Sequence, residues 1–228
     1  VRDRLTALFV FLLLTAHGST ARAGVPGRAL LTAQANELLV GTAKLELTPP
    51  GKVPLAGYSR RKGRSSTGVH DPVFVRALVL QQGDTTVALA SCDLLIIDER
   101  LFDAVKQRVE TARGRAPLSL LIAATHTHSG PGAYGQKFFE KLSMGHFDAE
   151  VFEWLSARIA QAILTASTQL QPATVSYASA PTHGLVVNRM DPGGVVDPTL
   201  VVVGFHGTRR QPLAAIVNFS AHPTTLGA

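Results

Sequence analysis

The sequence predicts an α/β domain built on a mixed β-sheet flanked by helices. Three observations predict it. Short runs rich in Val, Leu and Ala recur at strand-like length. Two of them are joined by a tight Gly-Asp turn, the mark of an antiparallel hairpin. Two longer segments carry apolar residues at helical spacing, one of them between strands in a strand-helix-strand order. A hairpin beside such a crossover makes a sheet mixed, not wholly parallel.

In chain order, "ELLVGTAKLELTPP" (residues 37–50) reads as a strand stopped by Pro49 and Pro50, which cannot donate to a ladder. A polar loop spans residues 51–72. "VFVRALVLQQGDTTVALASCDLLII" supplies the hairpin, and Asp98 caps the helix that follows, residues 98–113. Leu101, Phe102, Val105 and Val109 share a face of that helix, which Gly114 and Pro117 terminate. "LSLLIAAT" (residues 118–125) reads as a buried strand. A second helix begins near Asp148 and places Val151, Phe152, Leu155, Ile159, Ala162 and Ile163 on one stripe, with Trp154 beside it. "ATVSYAS", "TLVVVGFHG" and "LAAIVNFS" complete the strands.

With 228 residues, 46% of them apolar, the chain can bury a core of ordinary density as one domain, which excludes a disordered class. The formal charge of +6 does not point to nucleic acid. Arg2, Arg4 and Arg22 against Asp3 account for +2 of it, and the remaining cations are dispersed. The one basic run, "YSRRKGR" (residues 58–64), lacks the interleaved aromatics of a base-stacking surface and reads as a solvated, mobile loop. The same loop could favour an acidic membrane surface. Oligomeric state is not legible.

Residues 1–23 read as a signal peptide. Arg2 and Arg4 precede the apolar run of residues 5–16, and Ala21-Arg22-Ala23 carries small residues where a signal peptidase reads them. The run is too short to span a bilayer core of roughly 30 Å. The expectation is cleavage after Ala23 and a secreted or periplasmic protein, with residues 24–37 a flexible mature N-terminus and residues 38–228 the folded part. Cys92 is the only cysteine, so an internal disulfide and a thiolate cluster are excluded. Its apolar neighbours make it a buried strand residue without a basic partner nearby in sequence, so not a catalytic thiol.

His126 and His128 stand in "AATHTHSGPG", just beyond an apolar strand. In an extended segment side chains alternate, so both imidazoles would face one side about 7 Å apart, with Thr125 and Thr127 facing the other. His222 stands in the same relation to its own strand in "LAAIVNFSAHPTT". Strand ends are where α/β sheets place their sites. Imidazole suits a zinc ion, which takes about three protein ligands and keeps a position open. The spacing alone leaves a second reading open, with these histidines merely hydrogen-bonding in the strand-end turn.

"AATHTHSGPG" resembles the signature of the neutral/alkaline non-lysosomal ceramidase family. The similarity extends in family order to "VGTAKLELTPP", "LAGY", "GVHDPVFVRALVL", "VVNRMDP", "VDPTLVVVGF" and "AIVNFSAHPTTLG", across residues 39–227. It implies hydrolysis of the amide of ceramide into sphingoid base and fatty acid through a zinc-activated water, making the substrate a lipid-like amide and the cofactor Zn2+. It implies His126 and His222 as zinc ligands, His128 as a catalytic histidine that either supports the ligands or contacts substrate in the same pocket, and Arg189 as an active-site arginine holding a substrate oxygen, where the residues alone would read a loop salt bridge. His70, in "GVHDP", matches a family loop that would approach the pocket, with an exposed or capping histidine the equal alternative; Asp93, from its place after two apolar strand residues and not from the resemblance, could orient a zinc-bound histidine as a carboxylate partner. Gly57 and Tyr58 match a Gly-Tyr pair for which packing is the simpler role. His146, His183 and His206 have no expected part in the chemistry. The family's remaining glutamate and tyrosine ligands and a serine lie downstream of the segment matching "NFSAHPTTLG", so the resemblance implies an incomplete catalytic domain that is inactive alone. Two other readings stay open: an exported non-catalytic binding protein on the same scaffold, and a metallohydrolase of another amide or ester. A metallophosphoesterase would need a set of metal-binding Asp and Asn residues that the sequence does not offer.

Overall fold

The computed structural model describes residues 37–114 and 116–224. The expected signal peptide and, apart from Glu37, the expected flexible N-terminus lie outside the described residues. The elements run β1 (Leu39–Glu46), β2 (Phe74–Gln82), β3 (Thr85–Cys92), α1 (Glu99–Ala112), β4 (Ser119–Ala124), α2 (Phe138–Met144), α3 (Ala149–Ser167), β5 (Gln171–Pro181), β6 (Thr199–Gly207) and β7 (Pro212–Phe219). The strands form one seven-stranded sheet in the order β4-β3-β2-β1-β5-β6-β7. β2 and β3 are the expected hairpin, and β3-α1-β4 is the crossover that makes its pair parallel, so the sheet is mixed.

Alternation along the strands divides the core in two. Val75, Ala77 and Val79 of β2 and Ala88, Ala90 and Cys92 of β3 face the helices, where Leu101, Val105 and Val109 of α1 meet Leu155, Ile159 and Ile163 of α3. Cys92 is fully buried, and burial pushes its thiol pKa far up, so it is an inert core residue. The other face carries a smaller cluster in which Val40 and Leu78 pack with Phe205 and Ala214. That contact follows from a corner in the sheet. β1 and β5 share a ladder at only two positions, Leu39 with Pro172 and Val40 with Gln171, so β5, β6 and β7 turn back over the helix-free face.

Both long helices start where sequence placed them. Asp98 accepts a hydrogen bond from the Leu101 amide at 2.8 Å, and Asp148 accepts from those of Glu150 and Val151. Burial raises the Asp98 carboxyl pKa above the usual carboxylate range, against the opposing pull of the Leu101 hydrogen bond. Asp98→Ala is therefore expected to cost about 1 kcal/mol, and Asp98→Asn, which keeps the acceptor without the charge, less. Urea unfolding midpoints check both.

Two features depart from expectation. β4 is not a buried strand but an outer strand of the sheet: Leu120, Ile122 and Ala124 lean on the core while Leu121 is 44% exposed. A continuous apolar run does not reveal how many neighbours its strand has. The short helix α2 was not expected: the apolar residues of "FFEKLSM" at helical spacing, Phe138, Phe139 and Leu142, cover little more than one turn and lie exposed. It is closed at its start by the Glu140 carboxylate, which accepts from the Lys137 amide, and anchored at its end by buried Met144.

A candidate metal centre at the two outer strands

β4 and β7 lie at opposite ends of the strand order, yet the residues just beyond them meet, because the sheet turns back on itself. The rings of His126, His128 and His222 form a triangle with centroid separations of 4.9, 4.9 and 5.0 Å. Their ligating atoms all lie within 4.8 Å of one another, with no carboxylate in the group.

His126 reaches this point by a different backbone from the extended one expected. β4 ends at Ala124, the Thr125 amide is held by the Cys92 carbonyl at 2.9 Å, and His126 takes a left-handed φ of 58°. The alternation argument fails there, and the turn, not the pleat, sets the two rings side by side. Such a conformation is uncommon outside glycine and persists where surrounding structure enforces it. Here the enforcing bond is visible. His126 Nδ1–H donates to the Leu95 carbonyl at 2.8 Å, which fixes the tautomer and leaves the Nε2 lone pair available.

Tyr134 supports that carbonyl from beneath. Fully buried, its hydroxyl donates to the Ile96 carbonyl at 3.0 Å and accepts from the Ile96 amide at 3.2 Å, clamping the residue next to Leu95. Tyr134→Phe is expected to cost about 1–3 kcal/mol, since two polar groups of Ile96 lose their partner. For any metal held by His126, it is also expected to weaken binding roughly tenfold, the lower range for disturbing a ligand's support. A zinc titration beside a denaturation curve reads both effects.

His128 sits in a cradle made by the loop after β1. Gly57, at φ +109°, lies so close that a Cβ there would stand 2.6 Å from the imidazole. The Tyr58 ring meets the same imidazole edge-on at 4.8 Å. Arg61 donates to the carbonyls of His128 (2.6 Å) and Ala56 (2.9 Å), tying the loop to the histidine's own backbone. The basic run therefore is not wholly a solvated loop: its Arg61 is half-buried and structural. Nδ1 of His128 is buried against Gly57 without a well-formed hydrogen bond, and Nε2 lies 3.0 Å from Nε2 of His222. Two bare lone pairs do not approach so closely, so a proton or a cation belongs between them.

Removal from water is the largest influence lowering the pKa of His128, followed by the neighbouring His126 and His222. His222 is lowered likewise, by burial first, then by His126 and Arg189. Both imidazoles are thus biased toward the neutral form that binds metals. Arg189 is exposed in the loop joining β5 to β6, near enough for its charge to act on His222. That loop is shaped by Asn188, whose side-chain oxygen accepts from the amides of Met190 and Asp191.

The structure does not join the other candidates to the triangle. Asp93 spends its carboxylate on the Arg76 guanidinium (2.9 Å) and the Phe74 amide (3.0 Å). The carbonyl of Leu95 holds the His126 ring where a carboxylate had been expected. The His70 side chain is 97% exposed, pairs with Asp71, and lines a separate cleft of about 420 Å³ with Thr127 and Ser129. His206 is taken by the Ser176 hydroxyl at 3.0 Å. Sequence reasoning missed Leu95, Tyr134 and the structural use of Arg61. A backbone carbonyl leaves no trace in sequence, whereas the gathering of Gly57, Tyr58 and Arg61 within six residues was a usable sign.

The family profile described as "Neutral/alkaline non-lysosomal ceramidase, N-terminal" matches residues 38–228. A neutral ceramidase of Pseudomonas aeruginosa is 28% identical over 247 aligned positions, covering 99% of this chain and 34% of that protein. One of Mycobacterium tuberculosis is 28% identical over 141 positions, covering 59% of this chain and 22% of that protein. The crystal structure of neutral ceramidase from Pseudomonas aeruginosa superposes with a TM-score of 0.75 at 23% identity, over 85% of this chain and 33% of that one. A ceramidase complexed with C2 superposes with a TM-score of 0.72. The α/β fold is thus shared, and this chain spans about a third of the length of the Pseudomonas relative.

Proposed function

The chain belongs to the neutral/alkaline non-lysosomal ceramidase family, and on that premise we propose that it serves the zinc-dependent hydrolysis of a lipid amide of the ceramide type. Water adds across the C–N bond and releases a sphingoid base and a fatty acid. The observation that carries this reading is the meeting of His126, His128 and His222, three imidazoles without a carboxylate, at the ends of two strands far apart in the sheet. Imidazole ligands fit zinc, a borderline ion that takes nitrogen donors, and not magnesium or calcium, which take oxygen; two of the three rings serve as ligands and the third stands beside them.

His126 and His222 would hold the ion, His126 through the Nε2 that its bond to Leu95 leaves free. When bound, zinc supplies a Lewis acid that polarises the amide carbonyl and lowers the pKa of water. His128, kept neutral by its lowered pKa, takes a proton at Nε2 from the attacking water and returns it to the leaving nitrogen as the C–N bond breaks. Arg189, charged at every working pH, donates to the substrate oxygen where negative charge develops.

The test combines metal content with release of labelled fatty acid from ceramide, using the full product of the reading frame that encodes these residues. Zinc-dependent release is expected. His128→Ala is expected to keep zinc and lose roughly 100- to 10,000-fold in turnover, as for a missing acid-base group. A full product that holds zinc but leaves ceramide intact contradicts the proposal.

A further inference from the structure

We infer that the exposed Phe138–Phe139 pair and the adjoining basic turn, residues 59–64, dock the protein onto an anionic lipid surface. Phe138 and Phe139 are 70% and 79% exposed and stack edge to face at 5.4 Å, with half-exposed Leu142 beside them on α2. The neighbouring turn presents Arg60, Lys62 and Arg64 to solvent, and Lys137, just before α2, and Lys141 within it add two more cations. The two segments are physically joined: the Gly57 amide donates to the Ser143 carbonyl at 2.9 Å, and Gly63 abuts Gly145.

Charge identifies the partner. Residues 56–68 contain no acid, and the one carboxylate of α2, Glu140, is engaged at the helix start. Aromatic rings flanked by lysine and arginine suit the headgroup level of a bilayer, with the rings in the acyl boundary and the cations among anionic headgroups. A protein groove lined with acids would satisfy the cations but not two adjacent phenyl rings with no pocket between them. The surface also borders the site, because Gly57 and Tyr58 of the same loop pack against His128. Docking there sets the histidines beside the membrane from which a lipid is drawn, although the docking itself does not depend on the hydrolase reading.

Sedimentation with vesicles of phosphatidylcholine, with and without phosphatidylglycerol and free of ceramide, tests the inference. Binding only to the anionic vesicles, falling as salt rises, is expected. Replacing Arg60, Lys62 and Arg64 with serine is expected to weaken binding roughly fivefold per charge. The Phe138→Ser/Phe139→Ser variant is expected to lose at least about tenfold at every salt concentration, with Phe139→Ser alone as the milder form and an unchanged unfolding midpoint for each. His126→Ala is expected to bind vesicles like wild type, which separates docking from the metal site. Equal binding to neutral and anionic vesicles, no binding to either, or binding unmoved by the charge or phenylalanine variants overturns the inference.

Discussion

His126→Ala is expected to purify without stoichiometric zinc, with zinc affinity reduced at least about 100-fold. Disturbing a group that merely supports a ligand already costs about 10- to 100-fold, and this substitution removes the ligand itself. His128 and His222 would remain, their Nε2 atoms 3.0 Å apart, but without the one ring whose tautomer the protein fixes through Leu95. The fold should survive, since His126 is only half-buried and lies outside both core clusters. Because alanine tolerates a φ of 58° poorly, His126→Asn is the better-matched control: asparagine accepts the left-handed region. Elemental analysis of the purified protein and zinc titration of the stripped form give the result. Stoichiometric zinc in both variants removes His126 from the centre.

The second large effect belongs to a residue with no side chain. Gly57→Ala sets a Cβ 2.6 Å from the His128 ring, at a φ of +109° that L-residues rarely adopt. Strain at the backbone and crowding against the ring together are expected to cost about 2–4 kcal/mol. The ring is the softer partner and moves first, so the distances from His128 to His126 and His222 change with it. The expected readout is a lowered unfolding midpoint, with turnover falling further than zinc affinity because His128 moves while His126 and His222 stay. A fall in stability with turnover per folded molecule unchanged would make Gly57 a turn residue only.

Much of the architecture was legible because it rests on local pattern. The Gly-Asp turn between two Val-rich runs pointed to a hairpin, and Asp98 and Asp148 each precede an apolar stripe that continues for two turns or more. What escaped was set by distance or by backbone. "LSLLIAAT" has the composition of a central strand, and its place at the sheet edge depends on what else pairs with it. The histidine pair was legible as a pair, but its convergence rests on a left-handed turn, not on strand alternation. His222 could be suspected from its strand-end position, while its meeting with His126 requires the corner between β1 and β5. Asp93 looked available because sequence cannot show that Arg76, near it across the hairpin, claims its carboxylate.

The meeting of the histidines around one ion can be read at the metal. X-ray absorption at the zinc edge of the zinc-loaded protein is expected to show nitrogen neighbours at about 2.0–2.1 Å with the outer scattering of at least two imidazole rings, one of which disappears in His222→Ala. A spectrum with oxygen neighbours alone, or one that His222→Ala leaves unchanged, would contradict it.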